Sequence, residues 1–519
     1  MVSWKPEVDE LRRREQLAAQ MGGAERVARQ HDAGRLTVRE RIARLADAES
    51  FHETGALTGV PVYEGERLVE IRPSNFVMGG ARIDGRKVVL GGDDFTVRGG
   101  AADGAVGYKA GYAERMALEQ RVPMVRLVDG TGGGGSVKSL ETTRRTYVPA
   151  NPAMEMMTEL LSTVPVVAAA LGPVAGLGAA RVVCSHFSVM PKGSAQLFVA
   201  GPPVVRRGIG QDVDKETLGG SAIHTRESGA VDNEVANEDE AFAQIRRFLS
   251  HLPSSVYELP PVAACDDPAE RREEELLHSV PRDRRKPHDL RRILSLVLDR
   301  GSFFEIAPRF GRSLVTGLAR LDGRPVGVLG NDPRWLGGAI DGAASDKWVR
   351  FVDLCDTFHL PVVNFVDNPG FLIGVSGEKG GTIRRGARAI FAVYQASVPW
   401  CSIILRRVYG VAGAAHGNHS KLNLRYAWPS GEWGSLPIEG GVEAAYKRDL
   451  EAAADPDALR RELEEKLASM RSPFRTAESF GVEELIDPRD TRKLLCEWAQ
   501  TAYRLLPSSL GPKSRGMRP

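Results

Sequence analysis

The stretch Asp84–Lys109 reads DGRKVVLGGDDFTVRGGAADGAVGYK, and it returns 238 residues later, at Asp322–Lys347, as DGRPVGVLGNDPRWLGGAIDGAASDK. The two copies align without a gap. They are identical at 13 of 26 positions, which include the run Gly-Gly-Ala-x-Asp-Gly-Ala and the closing lysine. An internal match of this length predicts that one structural unit occurs twice in the chain.

Two further pairs of segments follow in the same order. At the same offset, Pro123–Asp129 (PMVRLVD) aligns with Pro361–Asp367 (PVVNFVD). With a shift of four residues, Val164–Ala170 (VPVVAAA) aligns with Val398–Ile404 (VPWCSII). Short apolar runs introduced by proline are typical of buried parallel strands. Three matches in order exclude chance, and we conclude that the chain is a duplication.

Each aligned run leads into a turn of small residues. The first turn is Gly172–Ala180 (GPVAGLGAA), and the second is Tyr409–Ala415 (YGVAGAA). Residues 105–121 and 343–358 have helical composition and lie between strand candidates. The order strand, helix, strand, glycine-rich turn, helix in each half predicts an α/β fold with a mostly parallel sheet.

The boundary between the halves is predicted in a charged, proline-containing stretch. Residues 265–287 read CDDPAERREEELLHSVPRDRRKP, so we expect domains at residues 1–270 and 271–519. Near the C-terminus, residues 443–469 are rich in helix formers. Pro456, with an aspartate on each side, is expected to split them into two helices.

The composition limits the classes of function. The net charge of +2 over 519 residues gives no general argument for binding to nucleic acid or to membranes. Five cysteines without a C-x-x-C pair argue against a disulfide framework and a zinc ribbon, and we expect no metal site. The longest apolar stretch, Val164–Ala180, is interrupted by prolines and glycines, which indicates a buried strand and turn. With an acidic N-terminus unlike a transit peptide, the protein is expected to be cytoplasmic.

The two turns are the candidate reactive elements. Ligands bind at the carboxyl ends of strands in open α/β sheets, and small residues let backbone N–H groups approach an oxyanion. A P-loop at Thr131–Ser136 (TGGGGS) fails because the Lys-Ser/Thr ending is missing. A dinucleotide fingerprint beginning at Gly176 fails because Arg181 stands at its last position. The alternative is that these turns only allow close packing and bind no ligand. Because an equivalent turn occurs in both halves of the chain, a role in binding an oxyanion is favoured.

Side chains that could serve as a catalytic base are scarce. The sequence has no G-x-S-x-G elbow and no H-E-x-x-H helix. His224, His416 and His419 are isolated, and His416 is considered only because it lies just after the second turn. The scarcity suits an enzyme whose proton acceptor comes from a cofactor.

Several motifs together resemble one family. From about Arg35 to its C-terminus, the chain resembles the β (carboxyltransferase) subunits of propionyl-CoA and methylcrotonyl-CoA carboxylases. The resemblance implies an α/β fold of two tandem crotonase-like domains related by duplication. The segments that carry it are Arg35–Ile42 (RLTVRERI), Phe198–Pro203 (FVAGPP), Leu218–His224 (LGGSAIH), Asp367–Leu372 (DNPGFL), Ile383–Ala387 (IRRGA), Ala427–Pro429 (AWP) and Ile486–Pro488 (IDP).

The resemblance also implies a reaction. In that family, which is classed with the ligases, carboxybiotin arrives on a partner subunit and releases CO2. The biotin anion then removes the α-proton of an acyl-CoA, and the enolate attacks CO2. Backbone amides hold the two oxyanions, and by position these are Gly176–Leu177 and Val411–Ala412, with their division between the oxyanions left open. The active site is implied at a dimer interface, between the N-half of one subunit and the C-half of another, within a homo-hexamer.

A partner subunit is expected because the sequence contains no biotinyl Met-Lys-Met site and no ATP-binding glycine loop. The partner would be a biotin carboxylase and biotin carboxyl carrier subunit. Two cationic residues of the first copy, Arg98 and Lys109, are candidates for binding the CoA phosphates. Lys347 is the counterpart of Lys109 in the second copy.

The turns depart from the family pattern. They usually read A-G-G-A and G-G-A-Y, whereas here residues 175–178 read AGLG and residues 410–413 read GVAG. The next position, an aspartate in propionyl-type enzymes and a bulky aliphatic in acetyl-tolerant ones, is Ala414. A small residue there is expected to open the acyl pocket to a substrate larger than propionyl-CoA, such as a branched acyl-CoA.

Two alternative functions use the same sequence features. One is the α subunit of a malonyl- or methylmalonyl-CoA decarboxylase, which runs the same half-reaction in the other direction. The other is a non-catalytic acyl-CoA-binding paralogue, which the altered turns would allow.

Overall fold

The computed structural model describes residues 3–517 except 102–105, 107, 131–136, 138–139, 142–143, 147, 149–151, 418–421 and 423. It forms two compact units, here called the first unit (Met1–Glu258 with Gly511–Pro519) and the second unit (Leu259–Leu510). The chain thus divides earlier than the expected residue 270. The charged stretch belongs to the second unit because Arg492 donates hydrogen bonds to the carbonyls of Asp267 and Pro268, at 2.8 Å each.

The first unit is built on a parallel sheet with an antiparallel edge. Its strands are β1 (His52–Glu53), β2 (Gly59–Glu64), β3 (Arg67–Pro73), β4 (Phe76–Ile83), β5 (Arg86–Asp93), β6 (Met124–Val128), β7 (Val166–Ala170), β8 (Pro173–Ala175), β9 (Phe187–Pro191), β10 (Gln196–Phe198) and β11 (Asn233–Val235). The main sheet has the order β1-β4-β5-β6-β7-β9-β11, and the pairs from β5 onward are parallel. Strands β2–β3 and β8–β10 form two small sheets.

Helices cover the first unit's sheet and carry capping residues. They are α1 (Lys5–Ala18), α2 (Ala24–Asp32), α3 (Val38–Leu45), α4 (Lys109–Gln120), α5 (Pro152–Leu161), α6 (Leu177–Val183), α7 (Pro202–Ile209), α8 (Lys215–Gly219) and α9 (Glu238–Ser250). Thr37 begins α3 in a capping box with Glu40, which satisfies two backbone donors. The predicted helix at 105–121 corresponds to α4, and its first residues lie partly outside the described part of the chain.

The second unit repeats this architecture. Its strands are β12 (Phe304–Ile306), β13 (Leu314–Leu321), β14 (Arg324–Asn331), β15 (Val362–Asn368), β16 (Trp400–Tyr409), β17 (Leu424–Ala427), β18 (Glu432–Gly434) and β19 (Glu484–Leu485). Its helices are α10 (Leu290–Val297), α11 (Gly342–Thr357), α12 (Val375–Lys379), α13 (Thr382–Gln395), α14 (Gly410–Ala414), α15 (Ile438–Ala445), α16 (Lys447–Ala452), α17 (Pro456–Met470), α18 (Pro473–Glu478) and α19 (Thr491–Leu505). The sheet has the order β12-β13-β14-β15-β16-β17-β19, and β18 also pairs with β16.

The strand register agrees with the duplication residue by residue. In the first unit Val89 pairs with Met124, and in the second unit Gly327 pairs with Val362. Both members of the second pair lie 238 positions after those of the first, which is the offset read from the sequence. The expected duplicated α/β fold with mostly parallel sheets is therefore confirmed.

The apolar runs form the cores. Every residue of β7 and of β15 is buried, as expected for strands covered on both faces. Within Val164–Ala180 the strand β7 is buried, whereas the turn that follows it is exposed at Gly176 and Leu177. Within the described residues, no helix is long and apolar enough to cross a membrane. The helix break at Pro456 is also observed, since Asp455 caps α17 there. A second break at Tyr446 separates α15 from α16 and was not expected.

Candidate active site

The turn of the first unit follows β8 and begins α6. Gly176 adopts φ 60° and ψ −123°, a conformation that favours glycine, although no atom within 4 Å would touch an added Cβ. Two of its amides are already engaged: Ala175 N–H donates to the carbonyl of Gly130 at 3.1 Å, and Gly176 N–H donates to that of Phe198 at 3.2 Å. Leu177 is the first residue of the helix, where an N–H has no intrahelical acceptor. Of the predicted pair, Leu177 is thus the more open donor.

A buried arginine supports α6 from its other end. The Nη1 of Arg126 donates to the carbonyls of Arg181 at 2.9 Å and Cys184 at 2.6 Å, and its Nη2 lies 2.9 Å from a Glu114 carboxylate oxygen. Burial lowers the pKa of Arg126, and Glu114 opposes this change. A cation at a helix C-terminus also favours the helix dipole. The network fixes the helix whose first residue is Leu177.

Asp129 holds the loop that precedes the first turn. Its side chain is fully buried, with Arg41 Nη1 at 2.8 Å and Arg35 Nη1 at 3.4 Å. Arg41 also donates to the carbonyl of Leu171 at 2.9 Å. A Cβ on Gly172 would lie 2.1 Å from the Asp129 carboxylate, so only glycine fits. The carboxylate and its arginines therefore set the path of the chain into the turn.

The turn of the second unit is the five-residue helix α14. Gly410 has φ 62°, and Val411 projects from the turn with 68% of its surface exposed. Ala412 is buried, and its carbonyl accepts a hydrogen bond from Asn368 Nδ2 at 3.1 Å. The N–H groups in the first turn of a helix have no intrahelical acceptors. The predicted donors Val411 and Ala412 both lie in this turn, as does the exposed Ala414.

His416 is part of the frame of this turn. Its ring is buried, and Nδ1 lies 2.6 Å from the carbonyl oxygen of Gly413. Its own carbonyl accepts hydrogen bonds from Asn364 at 3.0 Å, Trp400 at 2.7 Å and Ser402 at 2.7 Å. These contacts make the histidine part of the scaffold of the turn. His419 lies outside the described residues.

Asp367 occupies the position equivalent to Asp129. Arg406 Nη2 lies 3.0 Å and Arg407 Nε 2.6 Å from its carboxylate, and His288 Nδ1 is 3.6 Å away. Burial would raise the pKa of Asp367, but the hydrogen bond and charge of Arg407, together with Arg406, hold it below its usual value. Burial lowers the pKa of His288 to about 4, so this ring is neutral near pH 7.

The predicted CoA ligands differ in their placement. Arg98 is exposed and has φ 54°, like its counterpart Leu336 at 48°. Lys109 is turned inward: its side chain is 11% exposed, and Nζ donates to the carbonyl of Gly55 at 3.1 Å. Burial lowers the pKa of Lys109. Lys347 is buried and donates to three carbonyl oxygens, which makes it a structural ammonium group.

The structure adds residues that the sequence did not single out. Asn368 and the two equivalent aspartates, Asp129 and Asp367, support the turns. Their positions follow from the 238-residue offset and from the DNPGFL segment, which are visible in the sequence, whereas their contacts are not. Within the described ranges, no group of three or more histidine, cysteine, aspartate or glutamate side chains is arranged to hold a metal ion.

Comparison with known proteins identifies the family. Residues 29–514 match the carboxyl transferase domain. The chain belongs to the carboxyl transferase domain family. It is 36% identical to the propionyl-CoA carboxylase carboxyltransferase subunit of Haloferax mediterranei over 498 residues, which cover 94% of each chain. It is 33% identical to the methylmalonyl-CoA decarboxylase subunit alpha of Veillonella parvula over 473 residues, which cover 91% of each chain.

A solved structure supports the same assignment. The transcarboxylase 12S subunit, crystallised as a hexamer with methylmalonyl-CoA bound, superposes with a TM-score of 0.86 at 31% identity. The match covers 100% of this chain and 97% of that one. The fold is therefore the crotonase-like α/β fold of these subunits, and the chain is an enzyme, a carboxyltransferase of the biotin-dependent acyl-CoA carboxylase family. The alternative of a non-catalytic acyl-CoA-binding paralogue is not supported, since these relatives are enzyme subunits.

Proposed function

We propose that this chain transfers a carboxyl group from biotin on a separate subunit to the α-carbon, or the vinylogous γ-carbon, of an acyl-CoA larger than propionyl-CoA. The observation that carries the proposal is the pair of amide-bearing turns, each held by a buried aspartate–arginine cluster at an equivalent place in the two units. Family membership supports the reaction class. The acyl group, the partner and the role of each residue are the proposed parts.

The turns stabilise negative charge. The N–H groups of Leu177 and Gly176 in the first unit, and of Val411 and Ala412 in the second, act as donors to oxygen atoms that become anionic during transfer. Gly176 is the weaker donor of these because its N–H is shared with the carbonyl of Phe198. Pre-oriented donors of this kind lower a barrier because they need no reorganisation when charge develops.

Biotin fits such a turn, since its ureido oxygen is a hydrogen-bond acceptor and the amides are donors. When bound, biotin supplies the carboxyl group and the proton acceptor. The chain's own contribution is to orient the acyl thioester and to hold its enolate oxygen. Arg98 is the proposed contact for a CoA phosphate because it is exposed. Lys109 would first have to break its bond to Gly55 to take part.

The proposed assembly follows the relatives. The transcarboxylase 12S subunit assembles as a hexamer. We propose that this chain also forms a homo-hexamer, in which two copies share each active site. The partner is a biotin carboxylase and biotin carboxyl carrier subunit.

A decarboxylase role is a second candidate, because identity to a decarboxylase alpha subunit is 33% against 36% to the carboxylase subunit. A biotin carboxylase gene beside this one favours carboxylation, and a membrane-pump gene favours decarboxylation.

Two assays test the function. The purified chain is first incubated with malonyl-CoA, methylmalonyl-CoA and a branched carboxyacyl-CoA, with free biotin as acceptor, and the decarboxylated acyl-CoA is measured by chromatography. The cognate biotin subunit is then added with ATP and bicarbonate, and a panel of acyl-CoA substrates is compared. We expect transfer in both assays and higher kcat/KM for longer or branched acyl groups. Equal or better use of acetyl-CoA and propionyl-CoA would reject the proposed substrate class.

A further inference from the structure

Asn368 lies where the regular pairing of two strands ends. Strands β15 and β16 pair in register up to Val366 and Ile404, and the next pair is Asn368 with Val408. Between these pairs β16 has more residues than β15, which is a β-bulge. Bulges re-aim side chains at the end of a ladder. Here the bulge brings the end of β15 against helix α14, which follows β16 directly.

The side chain of Asn368 makes two hydrogen bonds. Its Nδ2 donates to the carbonyl oxygen of Ala412 at 3.1 Å, and its Oδ1 accepts from the N–H of Gly370 at 2.9 Å. Asn368 is 2% exposed and Ala412 is 1% exposed, so water has no ready access to replace either bond. Without Asn368, the Ala412 carbonyl would keep only the longer bond from the Ala415 N–H, at 3.3 Å.

Helix α14 depends on such external bonds. Five residues form too few intrahelical hydrogen bonds to be stable by themselves, because helix nucleation is unfavourable. The Ala412 carbonyl accepts from Asn368 Nδ2 at 3.1 Å and from the Ala415 N–H at 3.3 Å, and the Gly413 carbonyl lies 2.6 Å from His416 Nδ1 and accepts from the His416 N–H at 3.2 Å. In a helical turn with its carbonyls held on the protein side, the N–H groups of the first turn point the opposite way. The Asn368 bond is therefore one of the contacts that fix the direction of the Val411 and Ala412 amides.

The first unit holds its turn differently. Gly130 stands at the position equivalent to Asn368 and has no side chain to donate. In the first unit, neighbouring residues bind N–H groups of the turn instead: the carbonyl of Gly130 accepts from Ala175 N–H, and that of Phe198 accepts from Gly176 N–H. In the second unit, the side chains of Asn368 and His416 bind carbonyl groups of the turn. An asparagine at this position is thus specific to the second turn.

We propose that Asn368 is a positioning residue for carboxyl transfer, which it supports by fixing the Ala412 carbonyl so that the amides of Val411 and Ala412 face the substrate. This inference rests on the proposed function of the second turn. It predicts an effect on kcat rather than on KM, since the donors act on charge that develops during the reaction.

The test compares two isosteric substitutions on the same strand. Asn368→Asp retains the acceptor for Gly370 N–H, replaces the donor to Ala412 by an oxygen atom and adds a negative charge. Asn364→Asp is the matched control: it adds the same charge at a buried asparagine of β15. It also removes only one of three donors to the carbonyl of His416, because Trp400 and Ser402 remain. Both variants are measured as full chains in the transfer assay with methylmalonyl-CoA and free biotin.

Two readouts separate positioning from loss of folding. For Asn368→Asp we expect kcat to fall about 10- to 100-fold with KM within about threefold, a size typical of misplaced catalytic groups. Amide hydrogen exchange of the peptide covering residues 409–417 should accelerate in Asn368→Asp and stay near wild type in Asn364→Asp. The proposal is overturned if both variants share the same kcat and the same exchange. If the wild-type chain shows no transfer, the proposed function fails, and hydrogen exchange alone still decides whether Asn368 positions the turn.

Discussion

The Nε atom of Arg407 lies 2.6 Å from Oδ1 of Asp367, and the backbone N–H of Arg407 donates to the same oxygen at 3.1 Å. The equivalent aspartate of the first unit, Asp129, is also fully buried, but its arginines come from the N-terminal segment, with Arg41 at 2.8 Å. One carboxylate position thus recurs in both units while its cations come from different elements. The buried aspartate is common to both units, whereas the arginines that pair with it come from different segments of the chain.

Removing this carboxylate should destabilise the second unit strongly. Asp367→Asn keeps the size of the side chain but leaves Arg406 and Arg407 without their counter-charge, and breaking a buried pair costs about 3–5 kcal/mol. The matched control is Glu483→Gln, which removes a partner of Arg425 at 2.6 Å where the two side chains are 26% and 22% exposed. That change should cost no more than about 1 kcal/mol. Guanidinium denaturation followed by fluorescence measures both, and equal midpoints would contradict the assignment.

His288 should make stability depend on pH. Burial lowers its pKa from 6.5 to about 4. Between these pH values the ring is therefore mostly neutral in the folded state and mostly protonated in the unfolded chain. The stabilising contribution is complete above pH 6.5 and is lost as the pH falls toward 4. The slope in that window is about 1.4 kcal/mol per pH unit, and the loss totals about 3 kcal/mol.

The check is the free energy of unfolding between pH 4 and 7 for the wild type and His288→Gln. The variant should lose the pH dependence that His288 contributes, whatever its stability at pH 7. His31→Gln is the control, since His31 is half-exposed beside Glu40. A His288→Gln chain with the wild-type slope would show that this ring does not titrate between the two states.

The amides of the second turn can be tested by removing one. Val411→Pro deletes the N–H of the second residue of α14, where no intrahelical hydrogen bond is lost. We expect kcat to fall about 10²- to 10³-fold, as for the loss of one oxyanion donor. Val411→Ala removes the exposed side chain and keeps the N–H, so its kcat should remain within a few-fold of wild type. A well-folded Val411→Pro enzyme that turns over like Val411→Ala would remove this amide from the reaction.

Much of the fold was predictable because the duplication is written in the sequence. The match between residues 84–109 and 322–347 determined both units, and the observed registers have the same offset. The division of the chain was less predictable. A charged, proline-containing stretch looks like a linker, but Arg492, more than two hundred residues later in the chain, binds its carbonyls. Long-range hydrogen bonds of this kind leave no local pattern.

The candidate site was predictable in its backbone and not in its supporting side chains. Gly176 and Gly410 mark turns because their positive φ values favour glycine. The contact between Asn368 and Ala412 depends on a β-bulge, and hydrophobic periodicity does not reveal an irregular register. The orientation of Lys109 was equally hidden, since a lysine in a repeated motif reads the same whether it faces solvent or Gly55.

Arg98 and Lys109 should respond differently to substitution. If Arg98 contacts a CoA phosphate, Arg98→Ala should raise KM for the acyl-CoA about tenfold with little change in kcat, because that contact is made equally in the ground and transition states. Lys109→Met should instead lower stability, because it removes the donor to Gly55 from a nearly buried site. Steady-state kinetics and denaturation on both variants check the contrast. Unchanged KM in Arg98→Ala would leave the CoA phosphates to other residues.

The size of residue 414 should control the acyl chain. Ala414 is small and exposed at the second turn, and the resemblance implies that a bulky aliphatic residue here suits short acyl groups. Ala414→Ile should therefore lower kcat/KM for a branched acyl-CoA about 10- to 100-fold relative to acetyl-CoA, the discrimination expected for one or two methylene groups. Ala415→Ser is a control on the buried side of the same turn, where no change in this ratio is expected. The ratio is measured by competition between the two substrates in one reaction. If Ala414→Ile leaves it unchanged, residue 414 does not line the acyl pocket, and the substrate class must be set elsewhere.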